Sequence, residues 1–333
     1  MTAMIDPRIT TRAFWITGAG RAEIRDEALV PPGTGEAQVR ALYSGVSRGT
    51  ERLVYGGHVP ASEYARMRAP FQGGEFPAPV KYGYASVGEV ITGPATLIGQ
   101  RVFCLYPHQE RYVVPSDALF RLPASVPASR AVLAANLETA LNGIWDAALA
   151  PGDCVSVIGA GSVGCLVAWL ARQVVGCEVQ LLDVNLARAP VAQSLGVAFA
   201  TPDGAHADRD VVIHTSGTPE GLALALTIAG FEATIVELSW YGDRAVTLPL
   251  GEAFHARRLS IRSSQVGSVA TSRRSRWTSR RRLELAISLL TDAALDVLIN
   301  SEDEFDALPD TFRSLQSPSS DVIMHRVRYR RDD

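Results

Sequence analysis

The strongest indication of the fold lies in residues 154–164, which read Cys154-Val155-Ser156-Val157-Ile158-Gly159-Ala160-Gly161-Ser162-Val163-Gly164. Its first part is a short apolar run that predicts a buried strand, and its last six residues fit the pattern G-x-G-x-x-G. A helical pattern continues from there to residue 175. The glycine pattern alone is a weak signal, but between a strand and a helix it is typical of loops that bind phosphate groups.

Each glycine of this pattern has a physical role. Gly159 permits the tight turn after the strand, Gly161 lets the backbone approach a pyrophosphate, and Gly164 lets the helix pack closely on the strand. The first helical residues, Ser162 and Val163, present N–H groups and the positive end of the helix dipole to the phosphates. We therefore predict a dinucleotide-binding loop at residues 159–164, called the glycine loop below.

A carboxylate follows at the spacing expected for a ribose contact. Asp183 lies 19 residues after Gly164, at the end of the next apolar run. Because a carboxylate there accepts hydrogen bonds from a ribose 2′-hydroxyl and repels a 2′-phosphate, NAD is favoured over NADP. Arg188 is predicted to pack over the adenosine or to pair with Asp183. The alternative is that Asp183 only caps the next helix.

Strand and helix patterns alternate after the glycine loop. The further strand patterns cover residues 178–183, 210–214, 233–238 and 259–263. Helical patterns lie between most of these runs, and this alternation predicts a doubly wound parallel sheet. Directly after the strand pattern at residues 210–214, we predict a loop that lies next to the bound cofactor, made of Thr215, Ser216 and Gly217. The alternative is that these residues form an ordinary turn.

The chain before the glycine loop has a different pattern of apolar and turn-forming residues. Residues 13–123 contain short apolar runs separated by Gly- and Pro-rich breaks, which predict strands and turns. Helical spacing appears over residues 128–150. A length of 333 residues also favours two domains over one. The sequence therefore predicts an α/β protein with a β-rich domain and a parallel-sheet domain.

The composition narrows the class of protein. The net charge is −3, and Lys81 is the single lysine among 32 basic residues, which argues against a dedicated nucleic-acid or membrane-surface protein. The four cysteines form no Cys-x-x-Cys pair, so neither a disulfide framework nor a zinc knuckle is indicated. The N-terminus lacks the apolar region of a signal peptide, and the uncharged residues 154–171 fit a strand, turn and helix better than a membrane span. We expect a cytoplasmic protein.

Further sequence patterns are distributed over nearly the whole chain. They are Ser44-Gly45-Val46-Ser47-Arg48-Gly49-Thr50-Glu51, Gly83-Tyr84-Ala85-Ser86-Val87-Gly88-Glu89-Val90, Arg111-Tyr112-Val113-Val114-Pro115 and Val211-Val212-Ile213-His214-Thr215-Ser216-Gly217-Thr218-Pro219-Glu220. Together with the glycine loop, they resemble the medium-chain dehydrogenase/reductase superfamily, the alcohol-dehydrogenase-like group. The first segment loosely resembles the bacteriochlorophyllide dehydrogenase-like branch.

The resemblance implies an architecture and a cofactor. It implies a GroES-like, β-rich catalytic domain built from residues 1–128 and 268–333, and a Rossmann domain of residues 129–267. It also implies an NAD-dependent oxidoreductase that forms a homodimer or a homotetramer.

The sequence departs from zinc-dependent relatives where their ligands lie. Those relatives have a cysteine at the position of Ser47 and the pattern Gly-His-Glu at Gly83-Tyr84-Ala85, and their third ligand falls near Ala135-Asn136. Because zinc prefers thiolate, imidazole and carboxylate donors, the residues at these positions do not reproduce the site. The structural zinc lobe is also missing from the sequence between Gly93 and Arg101. We therefore predict a zinc-independent branch with no metal site.

Without zinc, a side chain must accept or donate the proton of the substrate hydroxyl group. The resemblance places Tyr84 at the reacting centre, and Lys81 could lower the phenol pKa from its ordinary value of about 10. Ser47, Thr50 and Glu51 form a second polar cluster, in which Thr50 could relay a proton and Glu51 could hold the loop. The alternative for Tyr84 and Lys81 is a buried structural tyrosine beside a solvated lysine.

Other residues are candidates for contact with the substrate. His58 and His108 are either bases or ordinary loop histidines. Aromatic rings with polar tips suit a flat or cyclic substrate, so the predicted pocket includes Tyr55, His58, Trp240 and Tyr241. Such rings could equally belong to the core.

Six arginines crowd residues 273–282. They could form the solvated start of a helix, a clamp for an anionic substrate, or a nucleic-acid patch. With no wider basic excess, we expect no nucleic-acid partner.

The expected function is hydride transfer between a nicotinamide and a small alcohol or carbonyl substrate, with NAD as cofactor and without catalytic zinc. Reduction of a conjugated alkene or a quinone is an alternative, because the developing enolate needs mainly oriented hydrogen-bond donors. A nucleotide-sensing protein that has lost turnover is a second alternative.

Overall fold

The structure is a computed structural model that describes residues 9–317 and 320–330. The chain divides into two compact units. The first contains the chain up to Leu133 and from Ile299 onward, and the second spans Ala134–Leu298. The prediction that no signal peptide begins the chain concerns, in part, residues 1–8, which lie outside the described range.

Strands dominate the first unit, and strands and helices alternate in the second. In the described part of the chain the strands are β1 (Ile9–Gly18), β2 (Arg21–Leu29), β3 (Glu36–Val46), β4 (Gly73–Gly74), β5 (Val80–Lys81), β6 (Ser86–Thr92), β7 (Arg101–Cys104), β8 (Arg111–Pro115), β9 (Phe120–Arg121), β10 (Cys154–Ile158), β11 (Glu178–Leu182), β12 (Ala198–Ala200), β13 (Arg209–His214), β14 (Ala229–Glu237), β15 (Ser260–Ser263), β16 (Ile299–Glu304) and β17 (Met324–Arg328). The helices there are α1 (Arg48–Tyr55), α2 (Ala134–Ala147), α3 (Ser162–Ala171), α4 (Ala189–Ser194), α5 (Pro219–Ile228), α6 (Ser279–Leu289) and α7 (Leu308–Ser314).

The first unit is built on two sheets in its described residues. The smaller has the strand order β2-β1-β5-β4, and the larger has the order β16-β17-β3-β6-β7-β9, with β8 paired to β3. The long strand β3 pairs antiparallel with β6, β8 and β17. Apolar residues of these strands, among them Val39, Val90, Val102 and Val114, are fully buried in one cluster. Burial of this face stabilises the sheet that carries α1 at the end of β3.

The second unit contains a six-stranded parallel sheet with the order β12-β11-β10-β13-β14-β15. This is the strand order of a dinucleotide-binding doubly wound fold, and it confirms the predicted fold class. Ile158 lies in register with Leu182 and with His214, and His214 lies in register with Glu237. The carboxyl ends of β10, β11, β13 and β14 therefore meet at one edge of the sheet.

Local differences from the prediction have simple causes. The helix expected over residues 162–175 ends at Ala171, before a turn that closes with Gly176 at a φ of +77°. Strand β12 was not predicted, because its sequence Ala-Phe-Ala is too short to show a period. Within the described residues, no helix combines the length and apolar character needed to cross a membrane. The uncharged residues 154–171 divide into β10 and α3 as predicted.

The arginine-rich segment requires a correction to the expected domain boundary. Residues 268–298 were assigned to the GroES-like domain, but they lie in the second unit. Arg282 of α6 is 1% exposed, and its Nε donates to Oε1 of Glu138 on α2 at 3.0 Å. Because a buried guanidinium needs such a partner, this contact holds α6 on α2. The other five arginines of the segment are exposed, three of them before α6 and two in its first turn.

Candidate functional site

The glycine loop has the shape that its sequence predicts. Gly159 adopts a φ of +102°, and a Cβ atom there would lie 2.7 Å from the backbone nitrogen of Ser216. A Cβ atom at Gly164 would lie 1.8 Å from the carbonyl oxygen of Gly159, so only glycine allows α3 to pack there. A Cβ atom at Gly161 would instead meet no atom of the described residues within 4 Å. The loop therefore has no room for a side chain at Gly159 or Gly164, whereas the space beside Gly161 is open.

Helix α3 begins directly at this open position, with Gly161 as its N-cap and Ser162 as its first residue. The first N–H groups of a helix have no partner inside the helix, and they coincide with the positive end of its dipole. Ser162 and Val163 belong to this first turn, as predicted. The loop and the helix end thus fit an anionic pyrophosphate.

Asp183 lies beside the glycine loop. Its Oδ2 accepts a hydrogen bond from the Ala160 N–H at 2.7 Å, and its Oδ1 accepts one from the Asn185 N–H at 2.8 Å. The side chain of Asn185 caps the following turn by accepting from the Ala187 N–H, so capping is not the role of Asp183. A carboxylate has about four acceptor positions, which leaves capacity for ribose hydroxyls. Arg188 is buried in the same part of the unit.

The turn of residues 215–217 rests on the glycine loop. The Thr215 backbone N–H donates to the carbonyl oxygen of Ile158 at 2.8 Å, and the Thr215 hydroxyl donates to that of Gly159 at 2.8 Å. The Gly217 N–H donates to Oγ of Ser239 at 3.0 Å. The structure thus brings the predicted turn against the predicted loop, beside the open position at Gly161.

A buried histidine at the same edge was missed by the sequence analysis. His214 is fully buried, with its Nδ1 2.7 Å from Oε2 of Glu237 and its Nε2 2.6 Å from Oγ of Ser216. The Tyr241 hydroxyl donates to the same Glu237 oxygen at 3.0 Å. A signal was present, because His214 and Glu237 fall at the ends of two neighbouring predicted strands.

Two aromatic residues predicted for the substrate pocket follow β14. Trp240 and Tyr241 are both half-buried. Burial and the nearby Glu237 carboxylate raise the pKa of Tyr241 above its ordinary value. Tyr241 therefore stays protonated and donates its hydrogen bond to Glu237.

A second polar cluster lies in the first unit and contains Ser47, Thr50, Glu51 and Tyr84; we call it the Tyr84 cluster. Ser47 precedes α1, and its backbone N–H donates to Oε1 of Glu51 at 2.7 Å. The Ser47 and Thr50 side chains lie near enough to the Tyr84 phenol to lower its pKa. Four of the five predicted catalytic side chains are therefore brought together, although Tyr84 follows Ser47 by 37 positions in the sequence.

Tyr84 is half-buried, and its acidity differs from the prediction. Burial, with the Glu51 carboxylate nearby, raises the pKa of Tyr84 to about 12, although hydrogen bonds from Ser47 and Thr50 oppose the shift. The phenol is therefore protonated near neutral pH and acts as a hydrogen-bond donor.

The expected role of Lys81 needs correction. Its Nζ lies 2.7 Å from Oε2 of Glu27 and 2.7 Å from Oε1 of Gln109. The Glu27 carboxylate compensates the charge of Lys81, the Gln109 amide oxygen accepts a hydrogen bond from it, and the pKa of Tyr84 is raised rather than lowered. Lys81 is thus placed as a buried structural cation beside the ring of Trp15.

His108 is a further member of this region. It is 1% exposed, with Nε2 2.8 Å from Oε2 of Glu51 and Nδ1 2.7 Å from Oγ of Ser44. The Ser44 hydroxyl lies 2.9 Å from the hydroxyl of Tyr329. His108 is therefore not an ordinary loop histidine, because it holds the carboxylate that lies next to Tyr84.

Two other predicted pocket residues in the first unit are placed differently. Tyr55 is 2% exposed, and its hydroxyl donates to the carbonyl oxygen of Gly20 at 2.7 Å. Its ring packs on Phe312, so Tyr55 belongs to the core rather than to a pocket. His58 is exposed after the end of α1.

The absence of a zinc site that the sequence suggests stays a prediction. Ser47 and Tyr84 offer hydroxyl groups, whereas zinc prefers thiolate, imidazole and carboxylate donors. Among the residues that the structure describes, no group of three His, Cys, Asp or Glu side chains is arranged to hold a metal ion.

The strand order and the glycine loop define a dinucleotide-binding unit, and known proteins share the whole fold. No family model matches the chain. The D-guloside 3-dehydrogenase of Escherichia coli K12 is 24% identical over 336 aligned residues, which cover 92% of this chain and 94% of that protein.

Solved structures show the same architecture. Acetophenone reductase from Geotrichum candidum, in complex with NAD, has a TM-score of 0.77 at 17% identity, covering 97% of this chain and 98% of that one. A protein of Sinorhizobium meliloti 1021, assigned as a zinc-binding dehydrogenase and bound to NADP, has a TM-score of 0.76 at 18% identity. The match covers 96% of this chain and 100% of that one. These similarities confirm the predicted alcohol-dehydrogenase-like α/β fold. They are consistent with the predicted nicotinamide-dependent oxidoreductase.

Proposed function

We propose that the protein is an NAD-dependent oxidoreductase that interconverts a small alcohol and the matching carbonyl compound without catalytic zinc. The observation that carries this proposal is the half-buried Tyr84 phenol, held protonated among Ser47, Thr50 and Glu51 in a chain that also has an open glycine loop.

The second unit supplies the cofactor site. The glycine loop and the first turn of α3 would hold the pyrophosphate, and Asp183 would accept from the ribose hydroxyls. The turn of residues 215–217 would lie against the bound molecule. The negative charge of Asp183 favours NAD over NADP, because it repels a 2′-phosphate. When bound, the nicotinamide gives or accepts the hydride.

The Tyr84 cluster handles the proton. A protonated phenol donates a hydrogen bond to a carbonyl oxygen and can transfer its proton as negative charge develops there. The Ser47 and Thr50 side chains stabilise the phenolate that results, and His108 holds Glu51 in place. Because the pKa of Tyr84 is raised to about 12, the phenol near neutral pH is in the acid form that carbonyl reduction requires.

We also propose that the protein assembles as a homodimer or a homotetramer. Strand β15 is the outer strand of the parallel sheet, and all of its residues are exposed, including Ile261. Such an edge has unpaired N–H and C=O groups that a second copy can satisfy. Light scattering on the purified protein tests this point.

The test of the main proposal joins a metal assay to a substrate screen. We expect far less than one zinc ion per chain, and NADH-dependent reduction of a carbonyl compound that survives a chelator. Stoichiometric zinc together with chelator-sensitive turnover would contradict the proposal. Reduction of conjugated alkenes or quinones only, with NADPH preferred, would favour the reductase alternative. Tight NADH binding without turnover on any substrate would favour a sensing role.

A further inference from the structure

A buried histidine connects two neighbouring strand ends of the second unit. His214 ends β13, Glu237 ends β14, and Ser216 lies in the turn after β13. The His214 imidazole bridges the other two side chains through hydrogen bonds of 2.7 Å to Glu237 Oε2 and 2.6 Å to Ser216 Oγ. Neither the proposed pyrophosphate contact nor the proposed proton transfer uses this histidine.

The carboxylate end of this bridge is itself fixed. Oε1 of Glu237 accepts from the Ser239 N–H at 2.6 Å, and Oε2 accepts from the Tyr241 hydroxyl at 3.0 Å. Because a carboxylate only accepts, Nδ1 of His214 carries the proton that it donates to Glu237. In the neutral imidazole, Nε2 is then the acceptor for the Ser216 hydroxyl.

The serine end of the bridge touches the glycine loop. A Cβ atom at Gly159 would lie 2.7 Å from both N and Cα of Ser216, so the two backbones are in close contact. On the other side, a Cβ atom at Gly221 of α5 would lie 2.4 Å from Ser216 Oγ and 2.7 Å from His214 Nε2. Ser216 is thus held between the glycine loop and α5, and the imidazole fixes its side chain.

We propose that His214 is a positioning residue for the dinucleotide: through Ser216 it fixes the turn of residues 215–217 against Gly159 and so sets the affinity for the cofactor. This inference rests on the proposed function, because it needs a dinucleotide on the glycine loop. A turn that is already ordered before binding spares the ligand the cost of ordering it, and affinity rises accordingly. A Cβ atom at Gly217 would meet no atom of the described residues within 4 Å, so the turn has open space for a ligand on that side.

The test measures NADH affinity by fluorescence in variants of the bridge. The variant His214→Asn keeps an amide near the Nδ1 position and loses the contact to Ser216, and Ser216→Ala removes the hydroxyl. We expect each change to weaken NADH binding by about tenfold, the effect of one lost hydrogen bond of ordinary strength. The double variant should bind no more weakly than either single one, because both remove the same contact.

Two further variants separate positioning from general stability. The variant His214→Gln places its amide oxygen near the Nε2 position, where it can accept from the Ser216 hydroxyl, and should restore NADH affinity to within about threefold of the wild type. His325 is a matched control, because it is also 1% exposed and hydrogen-bonded to a serine, with Nδ1 2.9 Å from Oγ of Ser301 in the first unit. The variant His325→Gln should leave NADH affinity unchanged.

The outcomes distinguish this inference from the function on which it rests. Wild-type NADH affinity in both His214→Asn and Ser216→Ala would overturn the positioning role while leaving the proposed function intact. Equal losses in His214→Asn and His214→Gln, without an effect of Ser216→Ala, would also overturn it. A wild-type protein that binds neither NADH nor NADPH would overturn the proposed function, and this inference with it.

Discussion

The Nε2 atom of His108 lies 2.8 Å from Oε2 of Glu51, and both side chains are only 1% exposed. The other carboxylate oxygen of Glu51 accepts from the Ser47 N–H at the start of α1. This pair therefore connects the loop around His108 to the turn that carries Ser47 and Thr50. A buried pair of this kind depends on both partners, because either one left alone is costly.

Replacing His108 by leucine should leave the Glu51 carboxylate without its imidazole. We expect the free energy of unfolding to fall by about 3 kcal/mol, measured by urea denaturation. The matched change Glu51→Gln keeps an acceptor for the Ser47 N–H and a hydrogen bond to His108, so it should cost only about 1 kcal/mol. A loss of less than about 1 kcal/mol for His108→Leu would show that the pair does not matter for stability.

Replacing Tyr84 by phenylalanine should lower the rate of carbonyl reduction by about 10²–10⁴-fold, the range for loss of a general acid. NADH affinity should stay unchanged, because the residues proposed to hold the cofactor lie in the second unit. The change Tyr82→Phe is a close control, since that ring packs edge-on against Tyr84 at 6.0 Å and its hydroxyl contacts the Met67 carbonyl oxygen. Equal kcat values for Tyr84→Phe and wild type would remove Tyr84 from the chemistry.

The parallel-sheet unit could be predicted closely from the sequence because its signals are local. The apolar runs that became β10, β11 and β13 each lie within a few residues of the observed bounds. The glycine loop was predicted for the same reason, since its three glycines and the flanking strand and helix are contiguous in the chain. Only Ala198–Ala200 gave too short a run to be seen.

The polar contacts of the first unit could not be predicted, because they join residues distant in sequence. Glu51 and His108 are 57 positions apart, and Lys81 meets Glu27 across 54 positions. The proximity of Lys81 to Tyr84 in sequence suggested a contact, but the Lys81 side chain is held by Glu27 and Gln109 instead. Register and side-chain direction in a β-rich unit decide such contacts, and a single sequence does not fix them.

Acid should destabilise the protein through His325. Burial lowers the pKa of this imidazole from 6.5 to about 4, although the Asp303 carboxylate opposes the shift. The unfolded chain therefore takes up a proton as the pH falls through 6.5, while the folded chain does not until about pH 4. Stability present above pH 6.5 is lost across this window, by up to about 3 kcal/mol.

Urea denaturation at pH 7 and at pH 4.5 measures this loss. The variant His325→Gln has no imidazole to titrate, so its stability should fall less over the same interval, by about the amount assigned to His325. If the two proteins lose stability in parallel, His325 is not responsible for the acid sensitivity.

Cofactor choice should depend on the charge of Asp183. The change Asp183→Asn removes the charge that repels a 2′-phosphate and keeps an acceptor oxygen for one of the two backbone N–H groups that donate to Asp183. We expect the ratio of NADH to NADPH affinity to fall by about tenfold, measured by titration with both cofactors. The exposed Asp203 offers a comparison, since Asp203→Asn should leave the ratio unaltered. An unchanged ratio in Asp183→Asn would assign the discrimination to other residues.

NADH titration of Gly161→Ala measures whether the second unit binds a nicotinamide dinucleotide on its glycine loop. A Cβ atom at Gly161 meets no atom of the described residues within 4 Å, so the variant should unfold at the same urea concentration as the wild type. The methyl group would occupy the space of the pyrophosphate, and NADH affinity should fall by at least about tenfold. Gly251→Ala, at a position with equally open surroundings, should bind as the wild type does. Wild-type NADH affinity in Gly161→Ala would show that the glycine loop does not hold the dinucleotide.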